Sequence, residues 1–400
     1  MKATAIKGNL VLPERIVKNG LLVIKDGLIE EIKEAAADLN LLSEEIHDYS
    51  GYYVSPGLVD VHLHGALGKE VMDGEIESLR KISEHQAACG VTAFFPTTLT
   101  APLEVILKAI EAVKEAISSD LPSEIAGIHL EGPYVSLKRK GAQDPKYIRE
   151  IRDSDLRQLQ MALAGIKTLI TLAPEVGQNL SFIQKMVEMG WVVSIGHTDA
   201  TYEEALKAIS AGANHATHLF NAWREFHHRE PGGIGAMLDE DRVFVELISD
   251  GIHVHPSFIR LAIFRKGPKR VCLITDSLMA AGLPDGIYNW GEMQIVLKGN
   301  EVRLKDSGVL AGSVLHLNQG LKNVQQWTGL PLPEVIRMAS LTPAESVGLD
   351  HLMGSLERGK LANLAVFDSD FGTVATYLRG KKVYPLSQKQ EGDKNVFLKK

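Results

Sequence analysis

The chain has 400 residues, with 43 Lys and Arg against 50 Asp and Glu, a net charge of -7 and 45% hydrophobic residues. That balance gives no support for binding nucleic acid or an anionic membrane, and no stretch approaches the roughly 20 apolar residues of a membrane span. The two cysteines, Cys89 and Cys272, form no CxxC pattern, so a reducing compartment is expected rather than a disulfide framework.

Near the N-terminus, Lys2, Lys7, Pro13, Glu14 and Arg15 interrupt any apolar run of signal-peptide length, so a cytoplasmic protein is expected. Residues 1–54 read as short strands, Ala3–Ile6, Gly8–Leu12, Gly20–Ile24 and Leu28–Ile32, with turns at Asn19-Gly20 and Asp26-Gly27. Ala35–Glu45 is helix-prone. This segment is too small to close its own core. The C-terminal segment, residues 349–386, offers partner strands at Leu364–Phe367, Thr373–Leu378 and Lys382–Tyr384. A small β-sandwich domain built from both chain ends is expected, followed by a poorly ordered tail over 387–400.

Residues 55–348 alternate strand-like and helical runs. Strands are predicted at Val59–Leu63, Thr92–Phe95, Ile125–Leu130, Thr168–Leu172, Val192–Ile195, His215–Leu219, Val243–Ile248 and Val271–Ile274. Helices fall at Glu77–Cys89, Pro102–Ile117, Asp155–Leu163, Leu180–Met189, Tyr202–Ala211 and Ser257–Phe264. Eight strands separated by amphipathic helices predict an α/β fold, a (β/α)8 TIM barrel. Residues 287–304 look like a β insertion, with closing helices at Leu332–Ala339 and Pro343–Val347.

An ionisable residue stands at the end of most predicted strands. His62 and His64 end the first; on a strand, residues i and i+2 point the same way, so two imidazoles can share one cation. His129 and Glu131 flank the end of the third, and His197, His218, His253 and Asp276 follow the fifth to eighth. Barrel active sites gather at these ends. Imidazole and carboxylate without thiolate suit Zn, Fe, Mn or Co and do not choose among them. One ion is expected at Glu131, His197 and His218, leaving a position open for water; a second is possible at His62 and His64 with Glu131 bridging. Such an ion lowers the pKa of water to about 7, and Asp276 is placed as general base and then acid.

These residues resemble the amidohydrolase superfamily, and within it the N-acetylglucosamine-6-phosphate deacetylase family. The resemblance rests on Pro56–Gly65, Pro96-Thr97-Thr98, His129-Leu130-Glu131-Gly132-Pro133-Tyr134, Gly196-His197-Thr198 and Thr217–Ala222. Arg229-Glu230-Pro231-Gly232, Asp250-Gly251-Ile252-His253 and Thr275-Asp276 add to it. It spans about residues 1–385. It implies deacetylation of a phosphorylated N-acetyl amino sugar, with Glu131, His197 and His218 on one divalent metal ion and His62 and His64 where some members hold a second. It implies Asp276 as the catalytic aspartate, and Asn221, Ala222 and His253 as substrate contacts. Gly141 and Ala142, and Leu310, Ala311 and Gly312, match loops near the sugar. Arg229 matches a phosphate-binding arginine supplied across a homodimer, where its fork suits phosphate oxygens. Gln143 stands where the family usually has a histidine facing the scissile carbonyl. A glutamine can donate a hydrogen bond there but cannot carry charge.

Two other enzymatic readings share this chemistry. One is the epimeric N-acetyl-D-galactosamine 6-phosphate as substrate. The other is a cyclic amidase or aminoacylase of the same superfamily, whose dihydroorotase-like branch is disfavoured because Leu172-Ala173-Pro174-Glu175 offers no lysine at the end of the fourth strand. A non-catalytic binding protein on this barrel would be expected to have lost ligands, and none is missing here.

Overall fold

The computed structural model describes residues 4–34 and 45–385. The predicted helix at Ala35–Glu45, apart from Glu45, and the tail lie outside these residues. Eight parallel strands form the central sheet in chain order: Leu58–Leu63, Val91–Thr98, Ile128–Glu131, Thr168–Leu172, Val192–Ile195, His215–Ala216, Phe244–Ile248 and Val271–Ile274. The first, fourth, seventh and eighth are buried along their whole length, as their apolar composition requires of strands covered on both faces. Outside them, helix Leu103–Ile117 buries Ile106, Ala109, Ile110 and Val113, one stripe at helical spacing.

The two edge strands meet in two different ways. At their C-terminal ends they bond directly: Asp276 N donates to His62 O (2.9 Å), and His64 N and Gly65 N donate to Ser277 O (2.8 and 2.9 Å). At the other end the turn between helices Leu332–Arg337 and Leu341–Ser346 is wedged between them. Val59 N donates to Ala339 O and Leu273 N to Met338 O, both at 2.8 Å. The expected closing helices thus satisfy the open edges of the barrel.

Both chain ends join one seven-stranded mixed sheet, in the order Lys381–Tyr384, Thr373–Leu378, Leu364–Phe367, Glu45–Pro56, Thr4–Val11, Ile16–Lys25, Leu28–Lys33. Ile6, Leu10, Leu22, Val54, Leu364, Val366 and Tyr377 share its core. Glu45–Pro56, which the sequence reading left unassigned, joins the two halves. It runs parallel to Thr4–Val11 and antiparallel to Leu364–Phe367. Its polar, half-exposed N-terminal part hides the strand pattern. The expected strands Ala3–Ile6 and Gly8–Leu12 correspond to one strand, Thr4–Val11, with a register shift between Gly8 and Leu10; Ala3 lies outside the described residues. The insertion is a three-stranded antiparallel sheet, Gly286–Trp290, Met293–Lys298 and Glu301–Leu304, packing Trp290, Ile295, Leu297 and Val302 against Leu278 and Ala311.

Three further departures have local causes. The predicted Ile125–Leu130 strand breaks at Ala126-Gly127, leaving Glu124–Ile125 and Ile128–Glu131. His215–Leu219 shortens to His215–Ala216, because His218, Phe220 and Ala222 take positive φ angles. Helices Gly232–Asp239 and Leu317–Thr328 were not anticipated. Three glycines mask the first, and the second is mostly polar around Leu317, Leu321 and Val324.

Candidate active site

His197, His218 and Asp276 occupy equivalent places, each the second residue past the end of its strand. Each has left-handed backbone, with φ of 46°, 30° and 50°. Such conformations cost roughly 1–3 kcal/mol each in non-glycine residues and persist only when their surroundings hold them. Here Ser136 N donates to His197 O (2.8 Å), His218 N to Glu246 Oε2 (3.0 Å) and Asp276 N to His62 O (2.9 Å). The three turned residues, with His62, His64 and Glu131 from strand ends, bring six ionisable side chains together at the barrel mouth. All six are buried.

Glu131 is the centre. Its Oε1 lies 2.9 Å from His218 Nε2, 3.2 Å from His197 Nε2 and 3.5 Å from His62 Nε2. Its Oε2 lies 3.3 Å from His64 Nε2. Asp276 Oδ1 is 3.2 Å from His64 Nε2 and 3.5 Å from His62 Nε2. Glu131, His197 and His218 form one candidate cation cluster, and His62, His64 and Asp276 a second.

The outer nitrogens fix which atoms face inward. His64 Nδ1 contacts Thr97 O (3.1 Å) and His197 Nδ1 contacts Arg139 O (2.9 Å). A carbonyl only accepts, so both Nδ1 atoms carry hydrogen, and in the neutral rings the Nε2 lone pairs point at the carboxylates. The Nε2 atoms of His197 and His218 approach to 3.2 Å while converging on the same oxygen, and among the described residues His62 Nε2 has no hydrogen-bond partner. Lone pairs facing lone pairs around a buried carboxylate fit a divalent cation.

The charges agree. Burial alone would raise the Glu131 carboxyl, but His62 and His197 outweigh it and hold it well below the usual range. Burial would likewise raise Asp276, and His62 and His64 hold it down. Burial disfavours a charged His62; Glu246, Glu131 and Asp276 reverse that and bring it up to about 9. Both carboxylates at the mouth therefore stay ionised.

Glu246 was missed in the sequence. It lies within the apolar run Phe244-Val245-Glu246-Leu247-Ile248, and an acid inside a fully buried strand was the available signal. Its Oε2 is 2.9 Å from His62 Nδ1 and accepts from His218 N. It supports the His62 imidazole of one cluster and the His218 backbone of the other. His129 sits deeper than the cluster, with Nε2 2.7 Å from Thr171 Oγ1.

A cavity of about 200 Å³ opens over these groups. Of the expected substrate contacts, Gly141, Ala142, Gln143, Asn221, Ala222, His253, Leu310 and Gly312 line it. Leu99, Leu278, Trp290 and Val309 add an apolar wall. Ala311 packs into the core of the insertion rather than lining the cavity. Arg229 is exposed, and its guanidinium contacts His228 Nε2 at 2.9 Å rather than this chain's cavity. His253 Nδ1 is 2.6 Å from Asp250 Oδ2; burial disfavours its charge, but that bond wins and raises its pKa. Gln143 Oε1 accepts from Thr100 N (2.8 Å), and its Nε2 donates to Glu131 Oε2 (2.7 Å).

The model for the amidohydrolase family matches residues 53–395, and the chain belongs to that family. A Bacillus subtilis (strain 168) protein named N-acetylglucosamine-6-phosphate deacetylase is 37% identical over 375 residues, covering 93% of this chain and 94% of that one. An Escherichia coli O157:H7 N-acetylgalactosamine-6-phosphate deacetylase is 36% identical, covering 90% and 93%. Among solved structures, a Mycobacterium smegmatis N-acetyl-D-glucosamine-6-phosphate deacetylase variant in complex with N-acetyl-D-glucosamine-6-phosphate superposes with a TM-score of 0.90. It is 31% identical and covers 96% of this chain and 100% of that one.

Proposed function

We propose that this protein hydrolyses the acetamide of N-acetyl-D-glucosamine 6-phosphate to D-glucosamine 6-phosphate and acetate. The observation that carries the reading is Glu131 ringed by four imidazoles, with Asp276 at the rim of the same cavity. The named relatives supply the substrate class.

Glu131, His197 and His218 would hold one divalent cation, and His62 and His64 a second beside Glu131. When bound, the cation supplies the Lewis acidity that lets water attack near neutral pH. Asp276, ionised, takes the proton of the attacking water and returns it to the departing nitrogen. Gln143, held by Thr100 N, keeps the Glu131 carboxylate in place and presents a neutral amide where a histidine would present charge. It can steady a developing oxyanion but cannot pass on a proton. His253, held through Nδ1 by Asp250, offers the substrate a donor, and Asn221 and Ala222 line the same cavity. Arg229 reaches the phosphate of the neighbouring subunit in a homodimer, which accounts for its position away from its own cavity. The two free, buried cysteines support a reducing, cytoplasmic setting.

The Escherichia coli relative favours a second reading, the galacto epimer as the better substrate. Acetate release from both phosphosugars tests the proposal. The gluco epimer is expected to give the higher kcat/KM, and Asp276→Asn is expected to lose roughly 10²–10⁴-fold in kcat with its metal retained. Near-normal turnover by that variant would contradict the role given to Asp276.

A further inference from the structure

A second set of ligating side chains converges away from the barrel mouth. His85 lies in helix Ile76–Ala88, and Cys89 caps its C-terminal end four residues later, so both project from one face. His316 caps helix Leu317–Thr328 and meets them from the other side. The rings of His85 and His316 are edge to face, with centroids 4.9 Å apart. One donor atom from each of the three residues lies within 4.8 Å of a donor atom from each of the others. Cys89 is a free thiol, only 6% exposed. Among the described residues, none hydrogen-bonds either imidazole or the thiol.

We infer that His85, Cys89 and His316 form a separate cation site for a single borderline-soft ion such as Zn²⁺. A buried free cysteine alone reads as a small apolar side chain. Two half-buried imidazoles beside it change that reading, because a thiol and two imidazoles converging on one point are a ready ligand set for a metal ion. Two nitrogens and a thiolate are a zinc-type donor set, distinct from the oxygen and nitrogen set at the mouth. Metal–nitrogen bonds of about 2.0–2.1 Å and a metal–sulfur bond of about 2.3 Å place tetrahedral donors roughly 3.3–3.7 Å apart. Three protein ligands leave the fourth position for water.

The site has a structural consequence for the mouth. His316 follows the segment in which Leu310 and Gly312 line the cavity. In the same segment Ser313 N donates to Asp276 O at 2.7 Å. A cation at His316 would pin this segment to helix Ile76–Ala88 and so brace the backbone of Asp276.

Cobalt(II) added to the purified full chain reads this site apart from the other, because only this one offers sulfur. A thiolate-to-cobalt charge-transfer absorption is expected in the wild type. It should persist in Cys272→Ser and be lost in Cys89→Ser and in His316→Ala. Absence of the absorption in the wild type at every cobalt ratio, or its survival in Cys89→Ser, would overturn the inference.

Discussion

Two carboxylates that the sequence reading passed over carry predictions at the scale of single residues. Glu246 does not line the cavity. It holds His62 through Nδ1 and His218 through its backbone N–H. Burial would raise its carboxyl, but His62 holds it down at about 2. Glu246→Gln keeps the shape and removes the charge. Partners of this kind are worth roughly 10–100-fold in metal affinity, so a metal titration is expected to show a loss of that order with the fold intact. Unchanged affinity would remove Glu246 from the account. Glu70 behaves in the opposite way. Its Oε1 accepts from Met279 N (2.7 Å), while Oε2 is sealed without a partner. Burial raises its pKa to about 7, with His64 opposing. The folded pKa lies above the unfolded value near 4.5. Stability is therefore complete below pH 4.5 and declines until the pH passes 7. Glu70→Gln should raise the thermal midpoint at pH 8 and leave it unchanged at pH 4. An equal effect at both pH values would refute the titration.

At the scale of elements, the close approach of the third barrel strand to its neighbours is tested at Gly127. A Cβ added there would lie 2.3 Å from Phe95 Cε1 and 2.5 Å from Lys167 O. The backbone oxygen cannot swing aside as a side chain can. Gly127→Ala is expected to cost at least about 1–3 kcal/mol, read as a lower midpoint in urea. The same glycine shows what the sequence concealed. Thr168–Leu172, Val192–Ile195 and Val271–Ile274 matched their predicted bounds, because each is a short, mostly apolar run bounded by helices and turns. Ile125–Leu130 also read as one strand, yet it is interrupted at Ala126-Gly127, where the backbone packs closely on Phe95 and Lys167. Glu45–Pro56 was illegible because its identity as a strand comes from two partners far away in sequence. The cluster at the mouth was legible because strand ends count off regularly along the chain. Glu246 was not, because its role depends on a histidine 184 residues away.

At the scale of the whole molecule, the two chain ends and a neighbouring subunit enter the argument. Thr376 Oγ1 donates to Ala87 O at 2.7 Å, tying the mixed sheet to helix Ile76–Ala88 beside the barrel. Arg229, exposed in the single chain, is the element of the proposal that requires a second copy. Arg229→Ala should raise KM for the phosphosugar roughly 10–150-fold, the value of a hydrogen bond to a charged group. A mixture of Arg229→Ala and Asp276→Asn chains should regain activity that neither shows alone, because a hybrid dimer contains one complete site. A mixture no more active than its components would place the arginine's action within its own chain. The central claim is that Glu131, His197 and His218 hold a divalent cation on which turnover depends. Acetate release from N-acetyl-D-glucosamine 6-phosphate, measured on chelator-stripped protein during metal titration, tests it most directly. The account predicts negligible release from the stripped protein, recovery to a plateau with added metal, and no recovery in Glu131→Ala; full activity in protein proven free of metal would contradict it.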